Sequence, residues 1–114
     1  MSPLRSVLTT LTAAALLAPA SAAAYDYCGS AGTGQAGLGV TNVIASSIRC
    51  DAARYVARKA RARSHSYTTT TILGVDWRCR ITQDATGSEP GSVLATKVSC
   101  WSPGGANVRY HLRS

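Results

Sequence analysis

The run "SYTTTTILGVDWRCRITQ", Ser66 to Gln83, decides the fold class. Thr68 to Ile72 is β-branched throughout, and such side chains suit a pleated, extended backbone. Beyond Gly74 the pattern alternates strictly. Val75, Trp77, Cys79 and Ile81 point one way, and Asp76, Arg78, Arg80 and Thr82 point the other. A period of two marks a strand with one dry face. The run is read as the first of three strands. "DATGSEPGS", Asp84 to Ser92, is turn-forming by composition. Val93 to Trp101 follows, with Val98 and Cys100 on one face and Lys97, Ser99 and Trp101 on the other. "SPGG", Ser102 to Gly105, reverses the chain. The closing strand sets Val108, Tyr110 and Leu112 inward and Arg109, His111 and Arg113 outward.

Upstream of this sheet the period changes. In "RCDAARYVARKARARSH", Arg49 to His65, Cys50, Ala53, Val56 or Ala57, and Ala60 recur at helical spacing and form a narrow face of small residues. The expected helix starts near Ser46 or Ser47, either of which can cap it, and fades around Arg63 to His65. Asp51 in the first turn and basic residues in the last turns suit the helix dipole. Arg54, Arg58 and Arg61 follow one another on a second face, which Lys59 and Arg63 widen.

The start of the chain reads differently. "MSPLRSVLTTLTAAALLAPASAAA" has one basic residue, Arg5, then an apolar stretch, then A-x-A patterns, which is the design of a secretory signal peptide over residues 1–24. The apolar stretch is shorter than the ~20 residues that span a bilayer, so no membrane anchor is expected after cleavage. Removal of residues 1–24 leaves eleven Lys and Arg against five Asp and Glu. Residues 25–43 form a Gly- and Ala-rich segment expected to be flexible, and Val40 to Ile48 allows a short strand leading into the helix. "GTGQAG", Gly32 to Gly37, matches the dinucleotide fingerprint in letters only. That motif needs a strand before it, a helix after it and a βαβ unit around it, and none is evident here.

Cys28, Cys50, Cys79 and Cys100 all lie beyond the leader. An even count in a short exported chain reads as two disulfides. The gaps of 21, 28 and 20 residues do not suit structural zinc, which wants closely spaced pairs. Three pairings are possible. Cys50–Cys100 with Cys28–Cys79 is placed slightly ahead of Cys79–Cys100 with Cys28–Cys50. The expected fold is α+β: residues 44–114 form one helix on a small three-stranded antiparallel sheet, stabilised by disulfides. A domain of this size buries only ~60–65 % of its unfolded surface, so covalent support is expected.

The pieces "CDAARYVAR" (Cys50 to Arg58), "WRCR" (Trp77 to Arg80), "VSC" (Val98 to Cys100) and "GGANVRY" (Gly104 to Tyr110) occur in a distinctive order. In them the chain resembles a group of small secreted actinobacterial proteins of unassigned function. The resemblance spans roughly Ile44 to Tyr110 and implies a compact α+β domain. It brings no catalytic or binding residues. The chain departs from the pattern at Thr68 to Thr71 and in its longer insert between Asp84 and Ser92.

The five acids beyond the leader, Asp26, Asp51, Asp76, Asp84 and Glu89, are scattered along the chain. No G-x-S-x-G, S-x-x-K or H-E-x-x-H is present. No catalytic residues, metal or cofactor are expected. Basic residues are the strongest signal. Arg54, Arg58 and Arg61 lie on the helix, and Arg78, Arg80, Lys97, Arg109 and Arg113 lie on the strands beside Trp101. These nine side chains are the candidate anion-binding set. Helix charge is by default a solvated face, but an exposed Trp among arginines is less usual on an idle surface. The expected function is that of a secreted, monomeric, non-enzymatic accessory protein. Its cationic face would contact an anionic envelope polymer or an extracellular protein. No groove-reading motif points to specific nucleic acid. The alternatives are a small protease inhibitor acting through "TGSEPGS", Thr86 to Ser92, and then an envelope hydrolase using His65 or His111.

Overall fold

The computed structural model describes residues 25–85 and 95–114. In chain order these form β1 (Asp26–Gly29), β2 (Gly32–Thr33), a 3₁₀ turn (Gln35–Gly37), β3 (Gly39–Ser46), α1 (Cys50–Lys59), β4 (Thr68–Ile72), β5 (Val75–Gln83), β6 (Thr96–Trp101) and β7 (Asn107–Arg113). The expected leader and the insert Thr86 to Ser92 lie outside the described residues.

The strands make one antiparallel sheet in the order β1-β3-β7-β6-β5-β4, with β2 also pairing to β3. Seven strands replace the expected three, for two physical reasons. The run from Ser66 to Gln83 is a hairpin rather than one strand. Leu73 and Gly74 have φ of 52° and 76°, and Ile72 pairs directly with Val75. A two-residue connection of the I′ type needs positive φ at both positions, which Gly74 meets freely and Leu73 does not advertise. The second reason is that the Gly- and Ala-rich N-terminal segment supplies β1, β2 and the first half of β3.

Polar contacts add to the burial of Cys28, Ala31, Val40 and Val43 in holding that segment. Arg54 donates to the Cys28 carbonyl at 3.1 Å, and Arg58 donates to the Ala31 carbonyl at 3.3 Å. Gln35 pairs reciprocally with the backbone of Ala62, its amide donating to the carbonyl and accepting from the N–H, both at 2.8 Å. The central glycine of "GTGQAG", Gly34, serves this packing. A Cβ on Gly34 would stand 2.7 Å from the Val40 side chain, so the backbone comes this close only without one.

The helix is shorter than expected and lacks the expected serine cap. Ser46 ends β3, Ser47 has φ of 62°, and the capping position falls to Arg49, whose side chain makes no cap bond. Asp51 instead accepts from the N–H of Ala52 at 2.9 Å. At the other end Arg61 donates to the carbonyls of Arg58, Lys59 and Ala60, at 3.3, 3.1 and 2.9 Å. These are among the acceptors that a helix C-terminus leaves unpaired, and a cation there also suits the dipole.

Ala53, Val56, Ala57 and Ala60 are buried against the inner face of the sheet, as their spacing implies. That face carries Val40, Val43, Ala45, Val98, Val108, Tyr110 and Leu112, and continues through Ile72, Trp77, Cys79 and Cys100. The alanines let the helix lie close to the strands. The disulfides are Cys28–Cys50 and Cys79–Cys100, so the pairing placed first from sequence is corrected. Cys79 and Cys100 are direct cross-strand partners, a register that alternation in the sequence does not specify. Cys28 on β1 meets Cys50 at the first position of the helix.

Among the described residues the buried Tyr110 hydroxyl has no hydrogen-bond partner. Burial also pushes its ionisation far above the usual tyrosine range. A buried donor left unpaired costs roughly 1–3 kcal/mol. Tyr110→Phe is therefore expected to raise the unfolding free energy by up to about 1 kcal/mol. Urea unfolding checks this, and a loss of stability would show that the hydroxyl is engaged.

Candidate functional site

Every core residue on β5, β6 and β7 sends its sequence neighbours to the opposite side of the sheet. There the register assembles three rows. Arg80 faces Ser99, which faces Arg109, which faces Ile44. On one side of this row lie Arg78, Trp101 and Asn107, and on the other lie Lys97, His111 and Thr41. The five strand cations of the candidate set thus share a side with Trp101, with Arg113 at the strand end. Ser99 is small and buried although it lies on this outer side between Arg80 and Arg109, and its hydroxyl accepts from the Asn107 amide at 3.3 Å. Two strand spacings separate those arginines, about 10 Å.

Aromatic rings brace the guanidinium groups. Arg78 and Arg80 lie over the Tyr67 ring at 5.0 and 5.2 Å, and Arg109 lies over Tyr25 at 4.3 Å. Stacking of this kind attracts the cation to the ring and limits its rotamers. Trp101, Tyr67 and Tyr25 are all exposed. The only carboxylate on β5, β6 and β7 is Asp76, which accepts from the Thr71 hydroxyl at 2.7 Å. Among the described residues the carboxylate contacts to basic side chains are Arg49–Asp51 and His65–Asp84, so none of the outer-face cations is paired there.

Two hollows mark the ends of this face. One, of about 200 Å³, is lined by Tyr67, Arg78 and Trp101. The other, of about 250 Å³, is lined by Asn42, Thr82, Lys97, Arg109 and His111, among others. In the second, the Asn42 amide donates to Nδ1 of His111 at 3.1 Å, and Tyr27 donates to the Asn42 carbonyl oxygen at 3.4 Å. Nδ1 therefore accepts, and the neutral ring carries its proton on Nε2. Burial first, then the charges of Lys97 and Arg113, hold the His111 pKa below its ordinary value. Protonation on acidification would break the Asn42 contact and add a positive charge.

The helix cations stand apart. Arg54, Arg58 and Arg61 are on the element packed against the inner face, and each donates to a backbone carbonyl. The structure does not bring them together with the strand set. His65 contacts Asp84 at 2.9 Å, with both side chains more than half exposed. Such surface pairs contribute little. Among the described residues no three His, Cys, Asp or Glu cluster as metal ligands would, and no helix is long and apolar enough to cross a membrane.

Sequence reasoning missed Tyr67, Tyr25, Asn42 and Thr82. Tyr67 and Tyr25 flank strands, where alternation assigns no face. Asn42 had a faint signal: the buried residues of β3 fall at 40, 43 and 45, a spacing of three and then two. That break marks a bulge, and Asn tolerates the φ of 52° found there. The chain matches no protein-family model, no curated protein and no solved structure.

Proposed function

We propose that the chain is a secreted, non-enzymatic binding protein of the cell envelope, and that its outer sheet face holds an anionic polymer. One observation supports this most. Arg78, Arg80, Lys97 and Arg109 share one face with exposed Trp101, and no described carboxylate is paired with any of them. A surface built only for solubility would mix both signs. Braced arginines at set spacings suit a repeating anion, because little side-chain entropy remains to be lost on binding. Two disulfides are compatible with an extracellular setting.

The test is retention on immobilised poly(glycerol phosphate). Binding at low salt should fade as salt rises, since the Debye length falls to ~8 Å at physiological ionic strength. Arg80→Gln/Arg109→Gln should weaken binding at least ten-fold, on the order of one lost charge-assisted contact. Arg54→Gln/Arg58→Gln should leave binding near its original level while lowering stability. No retention at low salt, or equal loss in both double variants, rejects the outer face as the binding surface.

A further inference from the structure

The hollow beside His111 is framed in an unusual way. β3 carries an extra residue between Thr41 and Ile44, where β7 advances only from His111 to Arg109. β5 carries another between Ile81 and Gln83, where β6 moves only from Val98 to Lys97. Lys97 and His111 are direct partners on the two strands between these bulges. Two bulges thus flank one cross-strand pair at the same level of the sheet. Bulges bend a strand and re-aim side chains, and they are enriched beside functional sites. Here they add Asn42 on one side and Thr82 on the other to the lining of the hollow, which is about 250 Å³.

The lining is rich in donors. Lys97 brings an ammonium, Arg109 a guanidinium and His111 the N–H of Nε2, while the Thr82 hydroxyl donates to the Lys97 carbonyl at 3.2 Å and ties β5 to β6 at the bulge. Asn42 fixes the His111 donor by occupying Nδ1. A planar carboxylate is satisfied by one arginine fork. Donors from three side chains on two neighbouring strands suit a group with three or four oxygens.

We infer that this hollow is a subsite for one tetrahedral oxyanion of the phosphate class, held by Lys97, Arg109 and the Nε2 proton of His111. The inference rests on the outer face being the binding face and narrows its ligand from any polyanion to one carrying phosphoryl groups. A phosphodiester along a polymer and free inorganic phosphate both supply this chemistry, and the two arms of the test separate them. Trp101 lies four residues from Lys97 on the same strand, about 13 Å away. A polymer seated here would run on toward the aromatic hollow of Tyr67, Arg78 and Trp101.

The experiment follows the imidazole resonances of both histidines in the full disulfide-bonded protein. Inorganic phosphate is titrated at constant ionic strength, with sodium chloride as balance. His111 should shift and saturate while His65 does not. Lys97→Gln and Arg109→Gln should each weaken the apparent affinity on the order of ten-fold. Parallel, unsaturable shifts of both histidines would overturn the subsite, as would variants that titrate like the original. A second arm compares poly(glycerol phosphate) with polyglutamate on the same proteins. If both polymers are retained but phosphate leaves His111 unmoved, the subsite fails and the broader face survives. If phosphate saturates His111 but neither polymer is retained at low salt, the subsite stands for free phosphate and the polymer reading fails.

Discussion

Trp77→Ala lowers the unfolding free energy by about 3–5 kcal/mol, the range for emptying a large aromatic site in a core. Trp77 is 4 % exposed, and the chain has no phenylalanine and only one other tryptophan. The rest of the core is mostly valine and alanine, short side chains that cannot reach into the void. Domains of this size have only ~5–15 kcal/mol in total, so the variant should sit near its midpoint at modest temperature. Urea unfolding followed by far-ultraviolet circular dichroism measures the loss. Trp101→Ala is the control. At 42 % exposure it should cost well under half as much. Equal losses from the two variants would mean that the inner and outer faces are wrongly assigned.

Cys28→Ala/Cys50→Ala has the next largest effect. The bridge closes a loop with a sequence separation of 22, and removing it should cost about 3 kcal/mol by loop entropy. The loss should be uneven. β1 lies at the sheet edge and is attached to α1 by this bridge and by the Arg54 contact to the Cys28 carbonyl. Amide exchange should therefore accelerate most in β1 and β2 and least in β6 and β7. Uniform acceleration would show that the N-terminal strands are integral to the cooperative core rather than tethered to it. In Cys79→Ala/Cys100→Ala the hydrogen-bonded ladder between β5 and β6 still joins the two strands, so no such regional pattern is expected.

These effects also show which parts of the fold could be read in advance. Burial of Trp77, Cys79, Val98, Cys100, Val108, Tyr110 and Leu112 followed from alternation, because a period of two leaves no other assignment once one face is dry. The helix face followed from spacing in the same way. The N-terminal strands did not follow, because their stability comes from elsewhere. "YDYCGSAGTGQAGLG" has almost no apolar periodicity, and it is ordered by Arg54, Arg58 and Gln35 across 26 or 27 residues of chain. The Leu73–Gly74 turn was hidden because an exposed leucine at positive φ goes against its type. For the candidate site, alternation placed the strand cations on one side. It could not supply the register that puts Ser99 between Arg80 and Arg109, nor the two bulges, since both depend on which strand lies next to which. The helix arginines look the same as the strand arginines in composition, and only their partners separate them.

The strand order has a consequence for how the molecule is made. β7 comes last in the chain yet lies near the middle of the sheet, between β3 and β6. Until Asn107 to Arg113 is available, no strand pairing joins the early strands to the β4–β5–β6 meander. A ribosome or a narrow channel delivering this polypeptide from its front end would hold a divided, unclosed sheet until Asn107 to Arg113 came free. Closure would then be a single late event that joins the two halves, and the oxidation of Cys28 with Cys50 could precede it.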